Sequence, residues 1–182
     1  PGASWSTHDL YVGYCDAFRA AGHEVTEYRL DQRIDRAGGW LYYNWKTSGK
    51  KAADRPPKPN LRDILYWAGV PALEMALRLQ PDVVLIFSGM YFLKELFALM
   101  RNTHLPMAVM LTESPYDTLA EREVLQYVDV AFTNERTAVD TLRAINPNTH
   151  YLPHAYNPAL HYEGAGLLDA DWPAHDVVFV GT

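Results

Sequence analysis

The stretch "PDVVLIFSG", Pro81 to Gly89, decides the fold. Val83 to Phe87 are five consecutive apolar residues, bounded by Pro-Asp on one side and Ser-Gly on the other. Such a run is strand-sized and β-branched. It reads as a strand covered on both faces, as in a parallel sheet under helices. A polar end with glycine marks the point where the chain leaves the sheet and turns into a helix.

Working outward, the same unit recurs. Downstream, "MYFLKELFALMRN" reads as a helix, "PMAVMLTES" as a strand and "TLAEREVLQY" as a helix. "VDVAFTN" follows as a strand, "ERTAVDTLRAI" as a helix and "NTHYLP" as a short strand. Upstream, "PALEMALRLQ" reads as a helix opening at Pro71, where the missing N–H costs nothing. Further back, Leu10, Tyr14, Ala17, Phe18 and Ala21 share one helical face. Ser6 or Thr7 is placed to cap that helix and Gly22 to end it. "HEVTEYRL" then reads as a strand with Val25 inward. Strands alternating with helices imply an α/β fold, a Rossmann-like doubly wound parallel sheet in three α/β/α layers.

The composition fits a globular domain. The chain has 182 residues, of which 48% are hydrophobic and 21% charged. No apolar run approaches the ~18 residues of a membrane span, and Pro1 to Leu10 lacks the basic start and apolar core of a signal peptide. The single cysteine, Cys15, sits among Tyr11, Tyr14 and Phe18, which suits a buried structural thiol and a reducing, cytoplasmic setting. Net charge is −6, which opposes general nucleic-acid binding. The charge is uneven, however: Lys46 to Arg62 carries six basic residues against one acid, net +5, leaving −11 for the remainder.

That basic segment overlaps Arg36 to Pro59, "RAGGWLYYNWKTSGKKAADRPPKP", an irregular insert by its lack of period. Its aromatics Trp40, Tyr42, Tyr43 and Trp45 argue against simple disorder. It reads either as a solvated loop packed on the domain edge or as a stacking surface for a sugar–phosphate or nucleic-acid acceptor.

Right-handed crossovers put all strand C-terminal ends on one rim, where open α/β sheets bind ligands. The rim residues are Ser88 and Gly89, then "TESPYD" with Glu113, Ser114, Tyr116 and Asp117, then Asn134 and Glu135. Each also has a structural reading: Asp117 or Thr118 with Glu121 as a helix cap, and Asn134 as a cap with Glu135 in the first turn. His8 opens the first helix on the same rim, where an imidazole can act as a general base near neutral pH or be a surface histidine. His150, His154 and His161 lack zinc-ligand spacing and a completing cysteine or acid, so no metal is expected. No G-x-G-x-x-G or Walker pattern occurs.

The order "AFRAAGHEV", "PDVVLIFSG", "TESPYD", "VDVAFTNE", "YLPHAYNPALHYEG", "DVVFVGT" resembles the N-terminal half of GT-B-fold glycosyltransferases. It is most similar to the CgeB-like (spore maturation protein) group and to glycosyltransferase family 4. The resemblance implies a first domain over 1–152 whose opening strand precedes the chain, a linker over 153–174, and the first strand of a nucleotide-sugar-binding domain at 175–182. It implies transfer of a sugar from a nucleotide-sugar donor to an acceptor hydroxyl, with no cofactor beyond that donor. The partners implied are the nucleotide sugar, an acceptor (glycan, lipid, small molecule or nucleic acid) and a C-terminal domain of the same protein. It makes His8 the catalytic base, helped by Glu113 or Asp117. Ser88, Gly89, Ser114, Tyr116, Asn134, Glu135, His154 and Tyr156 then become substrate contacts. The linker departs from the family pattern, with His154-Ala155-Tyr156-Asn157 where Asn-Gly-Val-Asp is usual. The fragment alone is expected to be inactive. A non-enzymatic α/β ligand-binding module is the alternative from another class.

Overall fold

A computed structural model describes residues 8–49, 51, 55–112 and 118–155. The order is α1 (His8–Ala20), α2 (Leu30–Lys46), α3 (Leu61–Leu79), β1 (Val84–Phe87), α4 (Lys94–Arg101), β2 (Met107–Leu111), α5 (Thr118–Leu125), β3 (Val130–Thr133), α6 (Val139–Arg143) and β4 (Thr149–Tyr151). A 3-10 turn, Arg136–Ala138, leads into α6. The four strands form one parallel sheet in the order β1-β2-β3-β4. The α/β class with a parallel sheet therefore stands. Spatial order follows chain order, so these four strands contain no point where the winding direction reverses.

The core sits between the sheet and its helices. Val109 and Leu111 of β2 and Ala131 of β3 meet Phe97 and Met100 of α4, Leu125 of α5 and Leu142 of α6. Every residue of β2 is buried. Fully burying a side chain of this size contributes roughly 1.5–3 kcal/mol. Period-two alternation turns Phe87 to the opposite face from Ile86, and there Tyr11 and Tyr14 of α1 meet its ring at 5.4 and 5.8 Å. α1 ends as expected: Gly22 has φ +90° and its amide bonds the Arg19 carbonyl.

Four expectations are corrected. First, the insert from Arg36 is not irregular at its start, because α2 runs to Lys46. Ile34, Leu41 and Trp45 face inward with Ala37 and Gly38, a helical spacing. Gly38 lets Ile64 of α3 approach, 3.6 Å from where a Cβ would stand.

Second, the helix assigned to "PALEMALRLQ" starts ten residues earlier. Asn60 and Asp63 form a reciprocal capping box, each side chain bonding the other's amide at 3.0 and 2.9 Å. Pro71 lies inside α3, where it cannot donate to the carbonyl one turn back. Next to it, the Tyr28 hydroxyl donates to the Ala68 carbonyl.

Third, "HEVTEYRL" forms no strand within the described residues; 23–29 are without regular structure. Fourth, the run that announced the fold is not buried on both faces. All of β1 is half-buried, and Val83 is 52% exposed. Among the described residues β1 pairs with β2 alone.

Candidate functional site

The strand ends form a rim, and its most constrained point is the turn after β1. Ser88 has φ +63° and Gly89 φ +81°. A non-glycine residue in the left-handed region costs roughly 1–3 kcal/mol. Packing enforces it here: Ser88 is buried, and its amide donates to Met110 of β2 at 2.8 Å. A Cβ on Gly89 would stand 3.2 Å from Phe97 and 3.3 Å from Val124, so glycine is required twice over.

This turn closes one end of a groove of about 200 Å³ that runs along β1. Tyr11, Tyr28, Arg29, Asp31 and Tyr91 line it together with Ser88. The groove is mostly aromatic and aliphatic, with one polar device. Arg29 clamps Asp31 through two nitrogens, at 3.2 and 3.0 Å, and lies over the Tyr11 ring at 5.6 Å. Burial pushes the Asp31 carboxyl up, but the bonds from Arg29 and from the Gln32 and Asp31 amides outweigh it, so its pKa ends below its ordinary value. Tyr11 donates to Glu27 at 3.0 Å, and burial together with that bond raises its pKa. Arg19 holds the same carboxylate at 2.7 Å and lowers the pKa of Glu27. Cys15 is buried, and burial raises its thiol pKa, which makes it a structural thiol rather than a nucleophile.

Two strands along, a second polar cluster stands at the end of β3. Adjacent strands are about 4.8 Å apart, so this cluster is roughly 10 Å from the Ser88 turn. The Glu135 carboxylate accepts from the Thr137 hydroxyl at 2.6 Å and from its amide at 2.9 Å, and those two bonds lower its pKa. Glu135, not Asn134, is therefore the cap of the 3-10 turn. The Asn134 amide nitrogen instead bonds the His154 ring, tying the chain after β4 back to the rim. The Asn134 side-chain oxygen is buried with no hydrogen-bond partner.

The rim thus brings Ser88 and Gly89 to the groove, and Asn134, Glu135 and His154 to a separate cluster. His8 is the first residue of α1. Its side chain, and Glu113, Ser114, Tyr116, Asp117 and Tyr156 altogether, lie outside the described residues, as do the linker from 156 and the strand expected at 175–182. Among the described residues no three His, Cys, Asp or Glu side chains gather as a metal site. His150 donates to Asn148 at 2.8 Å, and His161 lies outside the described part.

Sequence reasoning passed over Tyr28 and Arg29 because they fall inside the expected strand "HEVTEYRL", and Asp31 because it comes directly after it. The useful signal was the cluster "YRLD" itself, a change from alternation to mixed charge at the rim. It also weighed Glu121 only as a cap residue, whereas that side chain is 1% exposed and has an interaction partner. No family model matches the chain, and neither does any curated protein or solved structure.

Proposed function

We propose that this chain is the acceptor-side domain of a nucleotide-sugar glycosyltransferase. In this reading the sheet is one half of a GT-B fold, doubly wound and three-layered, and the remaining polypeptide supplies the donor site. One observation carries the proposal furthest. A groove opens at the C-terminal end of a parallel strand, beside a strained Ser-Gly turn, which is where open α/β sheets take ligands. The motif order of the sequence supports the same reading. Aromatic walls at Tyr11, Tyr28 and Tyr91 suit the apolar face of a sugar ring, and the Arg29–Asp31 pair suits its hydroxyls.

The chemistry would proceed by deprotonation of the acceptor hydroxyl by His8, with Glu113 or Asp117 fixing the imidazole tautomer. The acceptor oxygen forms a bond to the anomeric carbon as the bond from that carbon to the diphosphate oxygen breaks. The nucleoside diphosphate leaves with the electron pair, and the proton stays on the histidine.

The test is release of nucleoside diphosphate from a panel of nucleotide sugars by the natural full-length protein. His8→Ala is expected to lower kcat sharply with the fold intact, and near-normal turnover removes His8 from the role of base. Binding of a donor with no transfer or hydrolysis under any condition would favour the binding-module alternative.

A further inference from the structure

The helical hairpin of α2 and α3 presents large aromatics to solvent. Trp40 is 60% exposed, Tyr43 64% and Trp67 58%. They form one patch: Trp40 and Tyr43 are one turn apart on α2, and the Trp40 ring lies 6.2 Å from the Trp67 ring of α3. Val70, one turn beyond Trp67, extends the patch with an exposed aliphatic side chain. Exposed Glu74 follows and limits it at that end. Contiguous exposed apolar surface of this kind marks an interaction site. Arg36, one turn before Trp40, and Lys46, one turn after Tyr43, are both exposed and flank it. Asp35, beside Arg36, and Asp63, one turn before Trp67, are the exposed acids nearest in sequence, and Asp63 is engaged in the α3 capping box. The described residues Lys51, Arg55, Lys58 and Arg62 add basic side chains between the two helices and at the start of α3, in a chain of net charge −6.

Two classes of anionic partner would answer that charge. Single-stranded nucleic acid needs free ring faces on which bases stack. The neighbouring rings of α2 that could extend a stacking platform are already engaged: Arg55 covers Trp45 at 5.4 Å and Lys58 covers Tyr42 at 5.3 Å. The Trp40 and Trp67 planes are inclined by 57°, which leaves no parallel slot between them for a base. A bilayer interface has the opposite requirement. It takes Trp and Tyr rings edgewise at headgroup depth, tolerates a neighbouring valine, and pairs lipid phosphates with flanking Lys and Arg.

We propose that the exposed edge of the α2–α3 hairpin docks on an anionic lipid surface, with Trp40, Tyr43 and Trp67 entering the headgroup layer and Arg36 and Lys46 facing the phosphates. This is peripheral attachment, compatible with the finding that no helix among the described residues is long and apolar enough to cross a membrane. It is independent of the proposed reaction.

The test is cosedimentation of the natural full-length protein with phosphatidylcholine vesicles, with and without phosphatidylglycerol, at low and physiological salt. The expected result is binding only to the anionic vesicles, weakened by salt. Trp40→Ser combined with Trp67→Ser should weaken it about tenfold or more at unchanged Tm, since both rings are exposed. Charge reversal, Arg36→Glu with Lys46→Glu, should abolish it and serves as the check if the tryptophan variant folds poorly. Failure to bind anionic vesicles, equal binding to neutral ones, or retention by a single-stranded oligonucleotide in preference to vesicles would each overturn the proposal.

Discussion

β1 and β2 are neighbours in one sheet, paired residue for residue from Val84 with Met107 to Phe87 with Met110. By composition β1 is the stronger strand, with Val, Leu, Ile and Phe against Met, Ala, Val, Met and Leu. Burial runs the other way: β2 is buried throughout, and β1 is half-buried at every position. The difference comes from position. β2 has a strand on each side and helices packed on its side chains. β1 has β2 on one side and the groove on the other. An apolar run therefore specifies a strand and its period, but not how much of that strand is covered.

Truncations on the two strands should give very unequal losses. Leu111 is 2% exposed in the central cluster, and Leu111→Ala is expected to cost about 3 kcal/mol. Leu85→Ala, on a half-buried residue lining the groove, should cost about 1 kcal/mol. Urea midpoints at constant m-value measure both, and equal losses would break the comparison. Amide exchange sharpens it. The Val84 and Ser88 amides donate toward β2, so alternation points the Leu85 and Phe87 amides into the groove. Those two are expected to exchange much faster than Val109; matched protection would mean that β1 is covered on both sides.

The next effect probes how tightly the core side is closed. Gly69 of α3 is buried, and a Cβ there would overlap Leu96 Cδ1 and stand 3.2 Å from Phe92. Leu96 is fully buried, so its Cδ1 would have to shift within a packed core. Alanine is the better helix former by about 1 kcal/mol, but overpacking costs roughly 1–3 kcal/mol. Gly69→Ala should therefore lose about 1 kcal/mol, seen as a lowered Tm. A raised Tm would show that this side has slack.

How far the sequence carries follows from these same elements. β1 to β4 were readable because each is a short apolar run closed by polar or turn residues. α2 was hidden by Gly38, Gly39 and four aromatics, although its inward set of Ile34, Ala37, Gly38, Leu41 and Trp45 keeps helical spacing once small residues are counted. α3 was cut short because Pro71 looked like a start, while the true signal, "NLRD" with its Asn60–Asp63 box, lay ten residues back. Of the site, Ser88 and Gly89 were legible as a strand end. The groove opposite them was not, since it depends on where 28–31 lies in space. No local pattern encodes the meeting of Arg29 with Tyr11, eighteen positions apart.

The smallest expected effect tests the groove side through pH. The folded-state pKa of Asp31 is depressed below its ordinary 3.8, with burial opposing and Arg29 favouring the charged form. A depressed carboxylate contributes stability that is present above its unfolded pKa and is lost as pH falls through the folded value. Arg29→Met removes the favouring partner and leaves burial unopposed, so the Asp31 pKa should rise. The variant is expected to lose about 1 kcal/mol near neutral pH and to begin acid unfolding at higher pH than the parent. Below both pKa values the carboxyl is neutral in either protein, so the two stabilities should converge there. Circular dichroism at a series of pH values checks this. Parallel curves for parent and variant, with a constant offset into acid, would show that Arg29 acts through its packing on Tyr11 rather than through the Asp31 charge.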